Sequence, residues 1–251
     1  MSDDAKERKV RRDKGLIMAT ERDLFCLLWI AEQYAARFEQ IQRLLSRFPD
    51  PHKPFRGELI AETTVKDLIA RWQRAGWIDY QRFLADSRGY AWVTRKGLAL
   101  VELDDVFTAR PPASSRLPHI YAVNQVRLWM DLQGFEWTSE RRSKASFEKV
   151  KKGETLGPIP DALVRSKDHG KVAIEVEISP KKPADTAEKL RNLLDATELN
   201  MERLHDEQMF PLVWFYVPNQ RMKKLVEAAC EKVGAEYQLR VRVAVQADLI
   251  A

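Results

Sequence analysis

The apolar residues change their spacing at Gly76, and that change limits the fold more than any single motif does. Ahead of it they recur every three or four residues, the period of a helix; behind it they come in short runs that suit strands. Thr20 opens the first helical stretch as an N-cap, with Asp23 three residues on, and Leu24, Leu27, Leu28 and Ala31 share a face up to about Tyr34. A second helix is predicted over Phe38–Phe48, with Phe38, Ile41, Leu44, Leu45 and Phe48 on one side and Pro49, Pro51 and Pro54 closing it. A third begins at Thr63-Thr64, where either threonine can cap, turns Val65, Leu68, Ile69 and Trp72 inward and stops at Gly76. Trp77–Phe83 and Tyr90–Thr94 then read as strands around a polar turn, Asp86-Ser87-Arg88-Gly89. Thr94-Arg95-Lys96-Gly97 leads into a short helix, Leu98–Leu103.

Three helices followed by a β-hairpin is the order of a winged helix-turn-helix, predicted over residues 20–109. With 251 residues, 45% hydrophobic and 31% charged, the chain has room for two globular domains. Residues 1–19 read as a flexible charged arm and 110–117, around Arg110-Pro111-Pro112, as a linker. Residues 118–251 open with a helix, His119–Gln133, ended by Gly134. A strand follows at Phe135–Ser139 with Glu140-Arg141 on its flank, then a loop rich in lysine (Lys144, Lys149, Lys151, Lys152). Strands at Ile159–Arg165 and Lys171–Ser179, a helix from Thr186 to about Arg203, a buried strand at Pro211–Val217, a helix at Arg221–Val233 and a strand at Tyr237–Val245 complete it. The expected class is α+β in two domains, the second an α/β core of order α-β-β-β-α-β-α-β. Trp214-Phe215-Tyr216, in the middle of a strand, are expected in the core rather than stacked on bases.

The formal charge is +5, from 42 Lys+Arg against 37 Asp+Glu, and net +4 of it lies in residues 1–116. A polyanion partner is therefore expected at the first domain. A helix that enters the major groove needs short polar side chains at its start and cations on its outer face. Thr63, Thr64, Lys66, Arg71 and Arg74 supply these, with Lys66 and Arg74 on one face and Arg71 farther round, suited to a phosphate. Arg82 and Arg88 on the hairpin can reach phosphates or the minor groove. Double-stranded DNA is the expected partner; a module used for protein contacts is the alternative.

In the second half Pro160-Asp161 opens one strand, and Glu175 and Glu177, two apart on its neighbour, point to one face. Asp161 and Glu175 then lie side by side at a sheet edge. Carboxylates so gathered repel unless a cation joins them, and hard oxygen ligands suit Mg²⁺ or Mn²⁺. The other account is a half-exposed strand with solvated carboxylates, paired with Lys171, Lys181 or Arg141.

Pro160-Asp161 followed after a turn by Glu175-Val176-Glu177 resembles the PD-(D/E)xK nuclease superfamily. That resemblance implies metal binding by Asp161 and Glu175, and a lysine at position 177, where this chain has Glu177; Lys181 is the candidate to replace it, and Glu140 a further acidic member. The chain also resembles, over residues 20–217, the replication-relaxation protein family of plasmids and other mobile elements. The motifs are Arg22-Asp23-Leu24, Arg74-Ala75-Gly76-Trp77-Ile78, Thr94-Arg95-Lys96-Gly97, His119, Ser139-Glu140-Arg141, Pro160-Asp161-Ala162 and Glu175-Val176-Glu177. This implies a role in replication, relaxation or its control. It leaves open Mg-dependent DNA cleavage or a non-catalytic regulator whose second domain serves dimerisation or partner binding; a homodimer stays open.

Other classes find no support in the residues. Cys26 and Cys230 read as buried free thiols, and no Cys/His spacing suits zinc. No glycine loop for a nucleotide is present, so no small-molecule cofactor is expected beyond the metal ion. No apolar run nears the ~18 residues of a membrane span, and Met1–Lys14 lacks a signal-peptide core, so a cytoplasmic location is expected.

Overall fold

The computed structural model describes residues 17–47, 59–83, 88–150, 159–166, 170–203, 212–233 and 241–246. The chain is α+β, with two sheets among the described residues. The expected arm up to residue 16, Phe48 and the prolines that follow, Asp86-Ser87, and Lys151 and Lys152 lie outside the described residues.

Helix α1, Glu21–Glu32, starts on a reciprocal cap in which Thr20 Oγ1 accepts from the Asp23 N–H and the Asp23 carboxylate accepts from the Thr20 N–H. Its buried side is rotated from the expected one: Cys26, Leu27, Trp29, Ile30 and Ala31 face inward, whereas Leu24 and Leu28 are partly exposed. A two-residue strand, β1 (Ala36–Arg37), leads into α2 (Phe38–Ser46). Helix α3, Glu62–Arg74, begins one residue ahead of the expected threonines. Neither threonine caps it: Ala61 holds the cap position, and Thr63 and Thr64 sit exposed in the first turn. The predicted stripe Val65, Leu68, Ile69 and Trp72 is buried.

At the end of α3 Gly76 takes a left-handed backbone (φ 73°), its N–H bonding Gln73 O while Trp77 N–H returns to Trp72 O. Strands β2 (Ile78–Gln81) and β3 (Tyr90–Val93) pair antiparallel, β1 adds to the far side of β3, and α4 spans Arg95–Leu100, capped by Thr94. Arg95, Lys96 and Gly97 therefore belong to that helix rather than leading into it.

The expected linker runs into a 3-10 turn, Ser114–Arg116, that continues as α5, Leu117–Leu132. This helix ends as α3 does, on a left-handed glycine, Gly134 (φ 76°). After α5 come β4 (Glu136–Ser139), α6 (Glu140–Val150), β5 (Ala162–Ser166), β6 (Gly170–Val176), α7 (Pro183–Arg203), β7 (Leu212–Val217), α8 (Gln220–Glu231) and β8 (Val241–Val245). The observed order is thus α-β-α-β-β-α-β-α-β. The expected order lacked α6, because the stretch containing Lys144 and Lys149 is helical and not a loop; Glu140 and Arg141 open that helix instead of flanking a strand. The signal was present, since Ser139 Oγ accepts from the Arg142 N–H as an N-cap side chain does.

The second sheet runs β4-β5-β6-β7-β8, antiparallel across the first three strands and parallel across the last three. Alternation sorts its side chains. Ala162, Val164, Val172, Ile174, Val176, Trp214 and Tyr216 pack against Ala122, Val123, Val126 and Met130 of α5. Ala173, Val213, Phe215 and Val217 pack under α7 and α8. Trp214-Phe215-Tyr216 are all buried, as expected of a central strand, and Cys26 and Cys230 are buried free thiols. The other side of α5 turns to the first half, where Leu128 joins the core built by α1, α2, α3, β2, β3 and α4. Among the described residues no helix is long and apolar enough to cross a membrane.

Candidate nucleic-acid interface and carboxylate row

With its apolar stripe buried, α3 turns Thr63, Thr64, Lys66, Asp67, Gln73 and Arg74 outward. Lys66 is 65% exposed and lies 4.0 Å from Glu62. Arg88, on the hairpin, pairs with the same Glu62 and covers the Phe38 ring at 4.9 Å. Glu62 thus ties the start of α3 to the strand pair, while Arg74 and Arg82 stay exposed. Arg71, expected to meet a phosphate, has a partner within the chain. Its guanidinium pairs with the fully buried Asp23 of α1, which also accepts from Trp72 Nε1 at 2.8 Å. The ion pair joins α3 to α1, with the Arg71 side chain still 28% exposed.

The carboxylates collect at the edge of the second sheet where the parallel strands β6 and β7 end, a usual place for sites in open α/β sheets. The Glu140 N–H donates to Asp161 O at 3.0 Å, extending the β4–β5 register by one residue. The β5–β6 register, in which Ala162 faces Ile174, puts Asp161 opposite Glu175 when extended the same way. Glu140 just after β4, Asp161 just before β5 and Glu175 within β6 therefore form one row along the backbone.

Each member already has partners. Asp161 Oδ1 meets His119 Nε2 at 2.8 Å, and Oδ2 accepts from the Val176 N–H at 2.8 Å. Glu175 is 2% exposed and pairs with Lys189 of α7. Glu177, buried just past β6, pairs with Lys181 and accepts from Ser179. Two expectations change. The glutamates are neither half-exposed nor solvated, and Lys181 serves Glu177; the lysine that reaches the row is Lys189, farther along in α7. Burial and the Asp161 carboxylate push Glu175 up to about 8, against the pull of Lys189 and His119. Burial works against the charge on Lys189, yet Glu175 holds its ammonium above the ordinary range. The hydrogen bond and charge of Asp161 raise His119 despite its burial.

A Mg²⁺ or Mn²⁺ ion would need free oxygens here. Both oxygens of Asp161 are engaged and Glu175 is closed off by Lys189, and among the described residues no three His, Cys, Asp or Glu side chains gather closely enough to hold a cation. In this arrangement the row does not fit a divalent ion.

Beside the row lies a small open pocket of about 20 Å³, room for about one water, in the seam between the halves, lined by Glu32, Tyr34, Arg116, His119, Glu140 and Asp161 among others. Glu140 Oε2 accepts from the Tyr34 hydroxyl at 3.1 Å and from Arg116 at 3.2 Å, and Glu140 also pairs with Lys144. Arg116 and Arg141 each sit 5.0 Å from the centre of the Tyr34 ring. Burial, and Glu140 after it, raise the Tyr34 phenol.

Tyr34 and Lys189 were not singled out by residue patterns, and His119 only as a motif member. Tyr34 lies 106 residues from Glu140, and Lys189 lies 14 residues from Glu175 across a crossover. No protein-family model, curated protein or solved structure matches the chain.

Proposed function

We propose that this is a DNA-binding protein of a plasmid or other mobile element, acting in its replication, relaxation or their control. Its first half grips duplex DNA in the manner of a winged helix-turn-helix. The reading rests on α3, whose apolar stripe is buried while Thr63, Thr64, Lys66 and Arg74 stand clear. A helix packed this way can lay its outer face in a major groove, with Arg82 and Arg88 of the hairpin reaching the flanking backbone. Arg71 is ion-paired with Asp23, as Arg88 is with Glu62.

The test is a mobility shift on duplex DNA over a salt series. Binding should fall steeply with salt, and Lys66→Ala with Arg74→Ala should weaken it. The same pair should flatten the log–log slope by about 0.9 for each phosphate that is no longer neutralised. Binding of the double variant indistinguishable from the parent, in affinity and slope, would remove α3 from the interface.

A second reading has one observation in its favour, the alignment of Glu140, Asp161 and Glu175 at one end of the five-stranded sheet. Cleavage with Mg²⁺ or Mn²⁺ at Asp161 and Glu175 would require His119 and Lys189 both to give up their carboxylates. Nicking of supercoiled DNA that depends on the added ion and disappears with Asp161→Ala and Glu175→Ala would establish it. A non-catalytic regulator whose second half holds partners predicts the shift and no nicking.

A further inference from the structure

The buried stripe of α3, Val65, Leu68, Ile69 and Trp72, fixes what the helix shows on its far side. At about 3.6 residues per turn, the positions opposite that stripe are Thr63, Asp67, Ala70 and Arg74, and all of them are exposed. Lys66 lies to one side of this outer row and Arg71 to the other.

An acid in the middle of the row is what a grip on a polyanion leaves unexplained. Asp67 lies past the first turn, where a carboxylate would gain from the helix dipole, and aspartate is a poor helix former. Arg71, the cation one turn on, pairs with Asp23 of α1, while Lys66 and Arg88 are drawn to Glu62. Arg74 is two turns away, about 10.5 Å along the helix axis. Among the described residues no ion pair or hydrogen bond engages the Asp67 side chain.

Phosphates repel such a charge, but the floor of a major groove holds one fitting partner. A carboxylate only accepts hydrogen bonds. Guanine shows the groove two acceptors, thymine an acceptor and a methyl group, and adenine an amine beside the acceptor N7; cytosine shows an amine with no acceptor of its own. We infer that Asp67 sets the base preference of α3 by accepting from the N4 amine of a cytosine in the major groove. Ala70, on the same row, is too short to hold the helix off the groove floor. Facing thymine O4, or guanine O6 and N7, the carboxylate meets only acceptors, so the same residue rejects the wrong sites and gives up overall affinity for discrimination. The inference rests on the DNA-binding reading and adds what the duplex must contain.

The experiment selects duplexes from a randomised library with the full chain and sequences the bound pool. Mobility shifts then compare the preferred duplex with copies in which each preferred cytosine pair is changed in turn to a thymine pair. The parent should lose about 5-fold or more in affinity at one such position. Asp67→Ala should erase that difference and bind the changed duplex more tightly than the parent does. Asp67→Asn should move the preference to adenine, whose N6 and N7 an amide can meet together. Both variants should unfold at the temperature of the parent, since the side chain is exposed. Binding with no cytosine preference, or with one that survives both substitutions, overturns the role of Asp67 and leaves the DNA-binding reading standing. Absence of any bound duplex overturns both.

Discussion

Asp23 shows how much one side chain can carry. In the amino-acid sequence it is the third residue of a helix, placed to complete the cap with Thr20. In the folded chain it is fully buried and also binds Trp72 Nε1 and Arg71, from a helix about fifty residues away. Burial works to raise its carboxyl, but hydrogen bonds from Thr20 and Trp72 and the charge of Arg71 overcome that and hold it below the usual range. A depressed carboxyl contributes stability that is present above its unfolded value, ~3.9, and is lost as pH falls through the folded value. Asp23→Ala should therefore cost about 3 kcal/mol in urea unfolding at pH 7. The gap between variant and parent should narrow as the acid limit is approached. A gap of equal size at pH 7 and pH 3 would mean that the loss is one of packing and not of charge.

At the scale of elements, helices deliver to the sheet edge what the strands lack. The start of α5 brings His119 onto Asp161, and the second turn of α7 brings Lys189 onto Glu175. The raised His119 dictates a sign. Its link to Asp161 stabilises the fold fully below the unfolded value, ~6.5, and that contribution is lost as pH rises through the raised folded value. His119→Gln should be less stable than the parent by about 1 kcal/mol at pH 5.5, and the difference should shrink by pH 9. Chemical denaturation at the two pH values checks this; a difference that grows with pH would exclude a charged imidazole. The strands β5 and β6 were legible through their alternation and the paired carboxylates. Helix α6 was misread because its lysines resemble a solvated loop, although Ser139 marks its start.

Across the whole molecule, α5 is common property. One side covers the five-stranded sheet and the other meets the first half. The seam there is polar and buried. Arg127 pairs with Glu32 at 3.2 Å, Asn124 donates to Ala35 O at 2.8 Å, Trp29 Nε1 donates to Asp131 at 2.9 Å, and Arg141 donates to Ala31 O at 2.5 Å. Groups like these are costly when left without partners, so the halves have one strongly preferred fit. The chain should unfold in a single calorimetric transition. Arg127→Met, which leaves Glu32 with less compensation, should cost about 3 kcal/mol and separate the halves into two transitions. Two transitions in the parent would show that the seam does not couple them.

Most elements of both halves, though not β1 or α6, could be read from the order of residues because helix and strand periods are set by neighbours within one or two turns. Buried stripes such as Val65, Leu68, Ile69 and Trp72, and the stops at Gly76 and Gly134, belong to that local physics. Which charge meets which is decided otherwise. Arg71 turns inward to Asp23, Lys189 rather than Lys181 reaches Glu175, and Tyr34 meets Glu140. Those pairings depend on how α1, α5 and α7 pack, and a buried charge takes whichever partner the packing brings within reach, however distant along the chain.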